Sequence, residues 1–130
     1  MLELRSSEDI VRARVAAREL VRAAGLGVMD QTRFATAVSE LGRNAVRYAS
    51  QGACELSDLS DARCWRLQAS ISDRGPGIQD IARAMQDGYS TGGGLGAGLP
   101  GARRLVDLFE IESTPAGTQV TIQIIRPRRP

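Results

Sequence analysis

Trp65-Arg-Leu-Gln-Ala-Ser-Ile-Ser-Asp73-Arg-Gly-Pro-Gly77 decides the fold. Trp65, Leu67, Ala69 and Ile71 alternate with Arg66, Gln68, Ser70 and Ser72, the period-two pattern of a strand with one buried face. Continued by one step, the alternation puts Asp73 on the apolar side. A carboxylate there costs several kcal/mol unless it finds a partner, and a ligand amino group is one such partner. The following Gly75-Pro-Gly77 turns the chain sharply and lets the backbone approach a flat ligand closely.

Upstream of this strand the sequence predicts two helices. Leu2 to Arg5 reads as a short edge strand. Ser6 or Ser7 can cap a first helix that has Glu8 and Asp9 in its first turn. It runs to about Ala24 and stops at Gly25-Leu-Gly27. Asp30 is expected to cap a second helix reaching about Ala49 and ended by Gly52. Phe34, Val38, Leu41, Ala45 and Tyr48 form its core stripe. Glu40 and Asn44 lie one turn apart on a shared face. At about 100° per residue they sit beside the stripe, at the edge of the core. Strands are predicted at Cys54–Leu56 and Cys64–Ser72, with Ser57–Ala62 as a polar loop.

Downstream, a short helix is expected from Ile78 to Asp87. The run Gly92-Gly93-Gly94-Leu95-Gly96-Ala97-Gly98 holds five glycines in seven residues. Each costs up to about 1 kcal/mol to order, which is expensive for a plain loop. Glycines just before a helix free its first N–H groups for phosphate oxygens. Gly96-Ala-Gly98-Leu-Pro-Gly101 formally fits a dinucleotide G-x-G-x-x-G, but it lacks a βαβ setting. The helix after the run is expected to end near Leu108. Strands Phe109–Ser113 and Thr118–Ile125 then flank a Pro115-Ala-Gly117 turn. Thr118 shares the inward parity of Val120, Ile122 and Ile124. A buried acid and a buried hydroxyl on one sheet face suit a purine edge. The whole reads as one domain, residues 1–130, an α/β (α+β two-layer) sandwich with helices on one face of a mixed sheet.

Composition removes several function classes. The 130-residue chain has no His and no Lys, and all 17 basic residues are Arg. Without His it cannot phosphorylate itself on histidine. Without Lys it cannot build a P-loop. A net charge of +2 and 4% aromatics give no nucleic-acid footprint. Arg126-Pro-Arg-Arg-Pro130 reads as a solvated basic tail. Cys54 and Cys64 lack metal-ligand spacing and read as small apolar fillers. Neither a membrane span nor a signal-peptide core is seen, so a cytoplasmic location is expected.

Three stretches together resemble the N, G1 and G2 boxes of the GHKL ATPase/kinase superfamily. They are Glu40-Leu-Gly-Arg-Asn44-Ala-Val-Arg-Tyr48-Ala, Asp73-Arg-Gly-Pro-Gly77-Ile78, and Asp87-Gly-Tyr-Ser-Thr-Gly-Gly-Gly-Leu-Gly-Ala-Gly98-Leu-Pro-Gly101. Within that superfamily they are similar to the RsbT branch, the switch serine/threonine-protein kinases of bacterial stress-signalling modules. The likeness spans nearly the whole chain and implies a Bergerat-type ATP site. By position, Glu40 resembles the catalytic base and Asn44 the Mg²⁺ ligand. Asp73 resembles the adenine-reading acid. Gly75, Gly77 and Ile78 resemble the G1 segment. Gly92 to Gly98 resemble the phosphate-binding lid, and Thr118 the hydroxyl that helps hold adenine. Related anti-sigma kinases often carry a lid arginine, and here that stretch is Gly and Leu. Phosphate charge is then left to Mg²⁺, backbone N–H groups, and Arg43 or another arginine, so Arg43 joins Glu40 as a catalytic candidate.

The resemblance further implies small STAS-domain antagonist proteins as substrates. A PP2C-type phosphatase is the implied second partner, bound and activated once the substrate is phosphorylated. Two other classes compete. One is a non-catalytic ATP-dependent binding module, an anti-sigma factor or phosphatase co-activator. The other is an ATPase module of the gyrase kind, for which the chain has no room for a transducer domain. Retention of Glu40 beside Asn44 favours the kinase, because a pure binder needs only the asparagine.

Overall fold

The computed structural model describes residues 1–48, 52–74 and 98–128. In chain order the elements are β1 (Leu2–Leu4), α1 (Ser7–Ala23), α2 (Val28–Tyr48), β2 (Gly52–Asp58), β3 (Cys64–Asp73), α3 (Gly98–Arg104), β4 (Leu108–Thr114) and β5 (Gly117–Pro127). The helix expected at Ile78–Asp87 lies outside the described residues. Among those residues no helix is long and apolar enough to cross a membrane.

Helix α1 starts where its cap predicts. The Ser6 hydroxyl accepts from the Asp9 N–H at 3.4 Å, with Glu8 and Asp9 in the first turn. It ends on Gly25, whose φ of 88° is open to glycine. Gly25 N–H donates to the Arg22 carbonyl and Leu26 N–H to that of Val21. This crossed pair of bonds satisfies carbonyls the helix would leave open. Ala13, Ala17 and Val21 form its buried stripe. Small side chains there let α2 pack closely.

Helix α2 departs from the expected start. It begins at Val28, the Gln31 N–H donates to the Gly27 carbonyl, and Asp30 sits inside the first turn instead of capping it. The Asp30 carboxylate has a distant partner instead. Arg126 Nη2 on β5 donates to Asp30 Oδ1 at 2.7 Å, and its Nη1 donates to Asp107 Oδ2 at 2.7 Å. Arg126 thereby ties the start of α2 to the sheet. Phe34, Val38, Leu41 and Ala45 are buried as their spacing predicts. The Tyr48 side chain lies outside the described residues.

The five strands form one sheet in the order β1-β2-β3-β5-β4. Every described pairing is antiparallel, so the two-layer architecture stands but the sheet is not mixed. β2–β3 and β4–β5 are hairpins, and β5 inserts between β3 and the edge strand β4. The β4–β5 turn closes on Thr114 opposite Gly117. β2 runs on to Asp58, so the connection to β3 is shorter than expected. Asp61 closes it, accepting from the N–H groups of Arg63 and Cys64 at 2.7 and 2.9 Å. α3 stops at Arg104 and not near Leu108. Asp107 is already drawn to the sheet: its N–H donates to the Gln123 carbonyl and its carboxylate accepts from the Ile125 N–H.

Leu67, Ala69 and Ile71 of β3 and Val120, Ile122 and Ile124 of β5 line the inner face of the sheet, joined in the core by Leu4 and Cys54. The long helices cover this face. The outer face is polar. Gln119 Nε2 donates to Ser70 Oγ, Gln123 Nε2 to Gln68 Oε1 and Arg66 Nη1 to Gln123 Oε1. Burying apolar area on one side only is what the alternation in β3 encodes.

Candidate active site

Helix α2 carries the first half of the site. Glu40 is only 9% exposed, although it is charged. Arg43, one turn on, donates from Nη1 to Glu40 Oε1 at 3.0 Å. A nearly buried carboxylate with a cationic partner at hydrogen-bond distance is held in a defined rotamer. Asn44 is half-buried beside it. Arg43, expected among the phosphate contacts, is turned onto Glu40.

The sheet carries the second half. Asp73 is the last residue of β3 and faces the side lined by Leu67, Ala69 and Ile71, as its parity predicts. Its register partner on β5 is Thr118. Asp73 Oδ1 accepts from the Thr118 N–H at 3.3 Å. That bond fixes the carboxylate at the strand end. Thr118 is buried, and its Oγ1 shares a hydrogen bond of 2.8 Å with Ser113 Oγ on β4. The sheet thus presents an acid and a hydroxyl side by side, the donor–acceptor pair a purine edge requires.

The two halves meet at one end of the domain. On β2, Gly52 is the register partner of Asp73. A Cβ at Gly52 would stand 3.1 Å from the Ala45 Cβ and 3.3 Å from the Leu4 Cβ. The neighbour of Asn44 therefore touches the strand next to Asp73. Gly98 begins α3 with φ 45°, and Leu99 and Ala102 anchor α3 in the core. Gly75, Gly77, Ile78, Gly92, Gly93, Gly94, Leu95, Gly96 and Ala97 lie outside the described residues.

Two contributors escaped sequence reasoning. Ser113 reads only as a strand residue, because its link to Thr118 exists only once β4 and β5 pair. Gly117 reads as a turn glycine. It is in fact packed against the Asp73 carbonyl, where any side chain would overlap. Cys54 serves core packing, as expected, whereas Cys64 is half-buried at the start of β3 with its Sγ 3.9 Å from Arg66 Nη2. Burial pushes the Cys54 thiol up to about 11, which keeps it protonated and unreactive. Among the described residues no cluster of three His, Cys, Asp or Glu side chains could hold a metal by itself.

A half-buried acid at the end of a central antiparallel strand, on the face covered by a helix with a Glu–Asn pair, is the arrangement of an ATPase domain of the histidine-kinase type. Comparison with known proteins agrees. Residues 5–124 match the family described as the histidine kinase-like ATPase domain. The chain is 46% identical over 118 residues to the serine/threonine-protein kinase RsbT of Bacillus subtilis, covering 91% of this chain and 88% of that protein. Among solved structures, the RsbU and RsbW domains of Rv1364c from Mycobacterium tuberculosis align with a TM-score of 0.65 at 22% identity, over 100% of this chain and 32% of that one. The catalytic domain of the histidine kinase ThkA aligns with a TM-score of 0.58 at 19% identity, over 98% and 97% of the two chains. These two likenesses concern the fold alone. The chain belongs to the histidine kinase-like ATPase family, in its RsbT-type serine/threonine-protein kinase branch.

Proposed function

We propose that the protein transfers the terminal phosphoryl group of Mg·ATP to a serine of a STAS-domain antagonist, and that the phosphorylation switches its partner to a PP2C-type phosphatase, which it activates. One observation carries the kinase reading. Glu40 is held nearly buried by Arg43, one turn from Asn44, at the same end of the domain as the Asp73–Thr118 pair. A module that only bound nucleotide would have no use for a carboxylate held this way.

Each residue then has a role. Asp73 accepts the adenine amino group, and the Thr118 hydroxyl completes the contact with the base edge. The glycines from Gly92 to Gly98, with Gly75, Gly77 and Ile78, offer backbone N–H groups and close approach to the nucleotide. Asn44 fits Mg²⁺ by donor chemistry: an amide oxygen is a hard ligand, and this cation takes few protein donors, completing its shell with water and phosphate oxygens. When bound, the cation neutralises phosphate charge. Glu40 takes the proton of the acceptor serine as its oxygen bonds to the γ-phosphorus and the bond to the β-phosphate oxygen breaks, releasing ADP. Arg43 keeps the Glu40 carboxylate aimed. Catalysis here is positioning plus electrostatics.

Incubation with radiolabelled ATP, Mg²⁺ and candidate STAS-domain proteins tests the proposal. Phosphoserine on one of them is the expected result. Tight complexes with those proteins but no transfer would make the chain a binding module.

A further inference from the structure

The outer side of the helical layer holds a groove that the ATP site does not use. It opens between α1 and α2, has a volume of about 260 Å³, and is lined by Arg14, Val15, Arg18, Thr32, Ala35 and Thr36. Its α1 wall is unusual in charge. Arg12 and Arg22 on the same helix are paired with Asp9 and Glu19. Arg14 and Arg18 make no ion pair among the described residues. They also stand four apart, a like-charge spacing that disfavours the helix slightly. Val15 is 53% exposed at the groove, and Val11 is 46% exposed one turn before it. Arginines outside any close ion pair, Arg18 having only the nearby charge of Glu19, beside exposed valines are complementary to a segment with carboxylates and an apolar side chain.

The groove leads toward the chemistry. Thr36, the lining residue furthest along α2, precedes Glu40 by four residues, which sets their side chains about 5–6 Å apart at Cβ. A chain lying in the groove therefore delivers its next residues to the Glu40 carboxylate. Ser39 lies between these two residues in sequence, and its buried hydroxyl has no hydrogen-bond partner among the described residues.

We infer that the α1–α2 groove is the docking site for the acceptor segment of the protein substrate. That segment carries acidic residues that meet Arg14 and Arg18 and an apolar residue that meets Val15, and it presents its serine hydroxyl at Glu40. The inference rests on the phosphotransfer reading above and adds the substrate's local chemistry to it.

Steady-state phosphorylation of the STAS-domain substrate tests it. Arg14→Glu and Arg18→Glu each raise KM for the protein about tenfold or more, with ATP affinity at the wild-type value. Arg63→Glu, the same charge change on the β2–β3 connection, leaves KM alone. Arg14→Gln and Arg18→Gln, checked for fold by circular dichroism, give smaller rises in the same direction. Reversing an acidic residue beside the acceptor serine restores KM with Arg14→Glu. Unchanged KM in both reversals, or an equal rise with Arg63→Glu, overturns the docking site. If the wild-type protein transfers no phosphate, the phosphotransfer reading fails separately. Calorimetric affinity for the same partner, measured with ATP present, must then rank the variants in the same order, and equal affinities would overturn the groove.

Discussion

Gly117 lies against the carbonyl of Asp73 so closely that a Cβ on it would overlap that oxygen. Its φ of 153° is also one that side-chain-bearing residues rarely adopt. The start of β5 is thereby pressed onto the end of β3, and Thr118, the next residue, reaches Asp73 with its N–H. The Asp73 carboxylate and Thr118 are held together by a residue with no side chain.

Gly117→Ala should therefore do two things. Forced overpacking of this kind costs about 1–3 kcal/mol, read as a lower midpoint in urea unfolding. It should also weaken ATP binding, because the Asp73–Thr118 register must open. A variant with wild-type stability and affinity would show that the close approach does not matter.

Asp73→Asn offers an amide donor toward the adenine amino group, itself a donor. A hydrogen bond to a charged group contributes about 1.5–3 kcal/mol, so ATP affinity should fall about 10- to 100-fold. The inner-face position tolerates the isosteric amide, so the fold should survive. Titration with a fluorescent ATP analogue measures this. Unchanged affinity in a folded variant would remove Asp73 from the base site.

Cys54 gives the fold a pH signature. Its pKa rises from an ordinary 9.0 to about 11 because burial disfavours the thiolate. With the folded value raised, the full contribution is present below the unfolded pKa. It is lost as pH climbs through the folded one. Stability should be level up to about pH 9 and then fall by about 2–3 kcal/mol toward pH 11, at about 1.4 kcal/mol per unit. Urea midpoints across this range test it, and Cys54→Ala should remove this component of the slope. A slope identical in both proteins would contradict the assignment.

Asn44→Ala should weaken binding of Mg·ATP more than that of ATP in EDTA, because only the former uses a hard oxygen donor at this position. Calorimetry under both conditions separates the two. Equal losses would make Asn44 a structural residue.

Much of this was legible because it was local. The alternation from Trp65 to Ser72 revealed both the strand and the inward aim of Asp73, since one sheet face is buried and the other wet. The stripe of Phe34, Val38, Leu41 and Ala45 likewise located Glu40 and Asn44 at the core edge. What failed was non-local. Asp30 has the chemistry of a cap, but its partner Arg126 lies 96 positions away. Strand order and direction depend on β5 inserting between β3 and β4, which no periodicity encodes. Ser113 and Gly117 matter only after that insertion. Arg43 is a different case: its spacing from Glu40 is visible in the sequence, but an arginine beside a nucleotide site can serve phosphate or carboxylate equally well.

The most direct test of the kinase account is single-turnover phosphoserine formation by Glu40→Gln. The amide keeps the size of the side chain and can still hydrogen-bond, but it cannot accept the serine proton. Loss of a general base typically costs about 10²–10⁴-fold in rate. We predict a fall of that order with ATP affinity and partner affinity near wild type. Transfer at the wild-type rate would contradict the role of Glu40 and with it the mechanism.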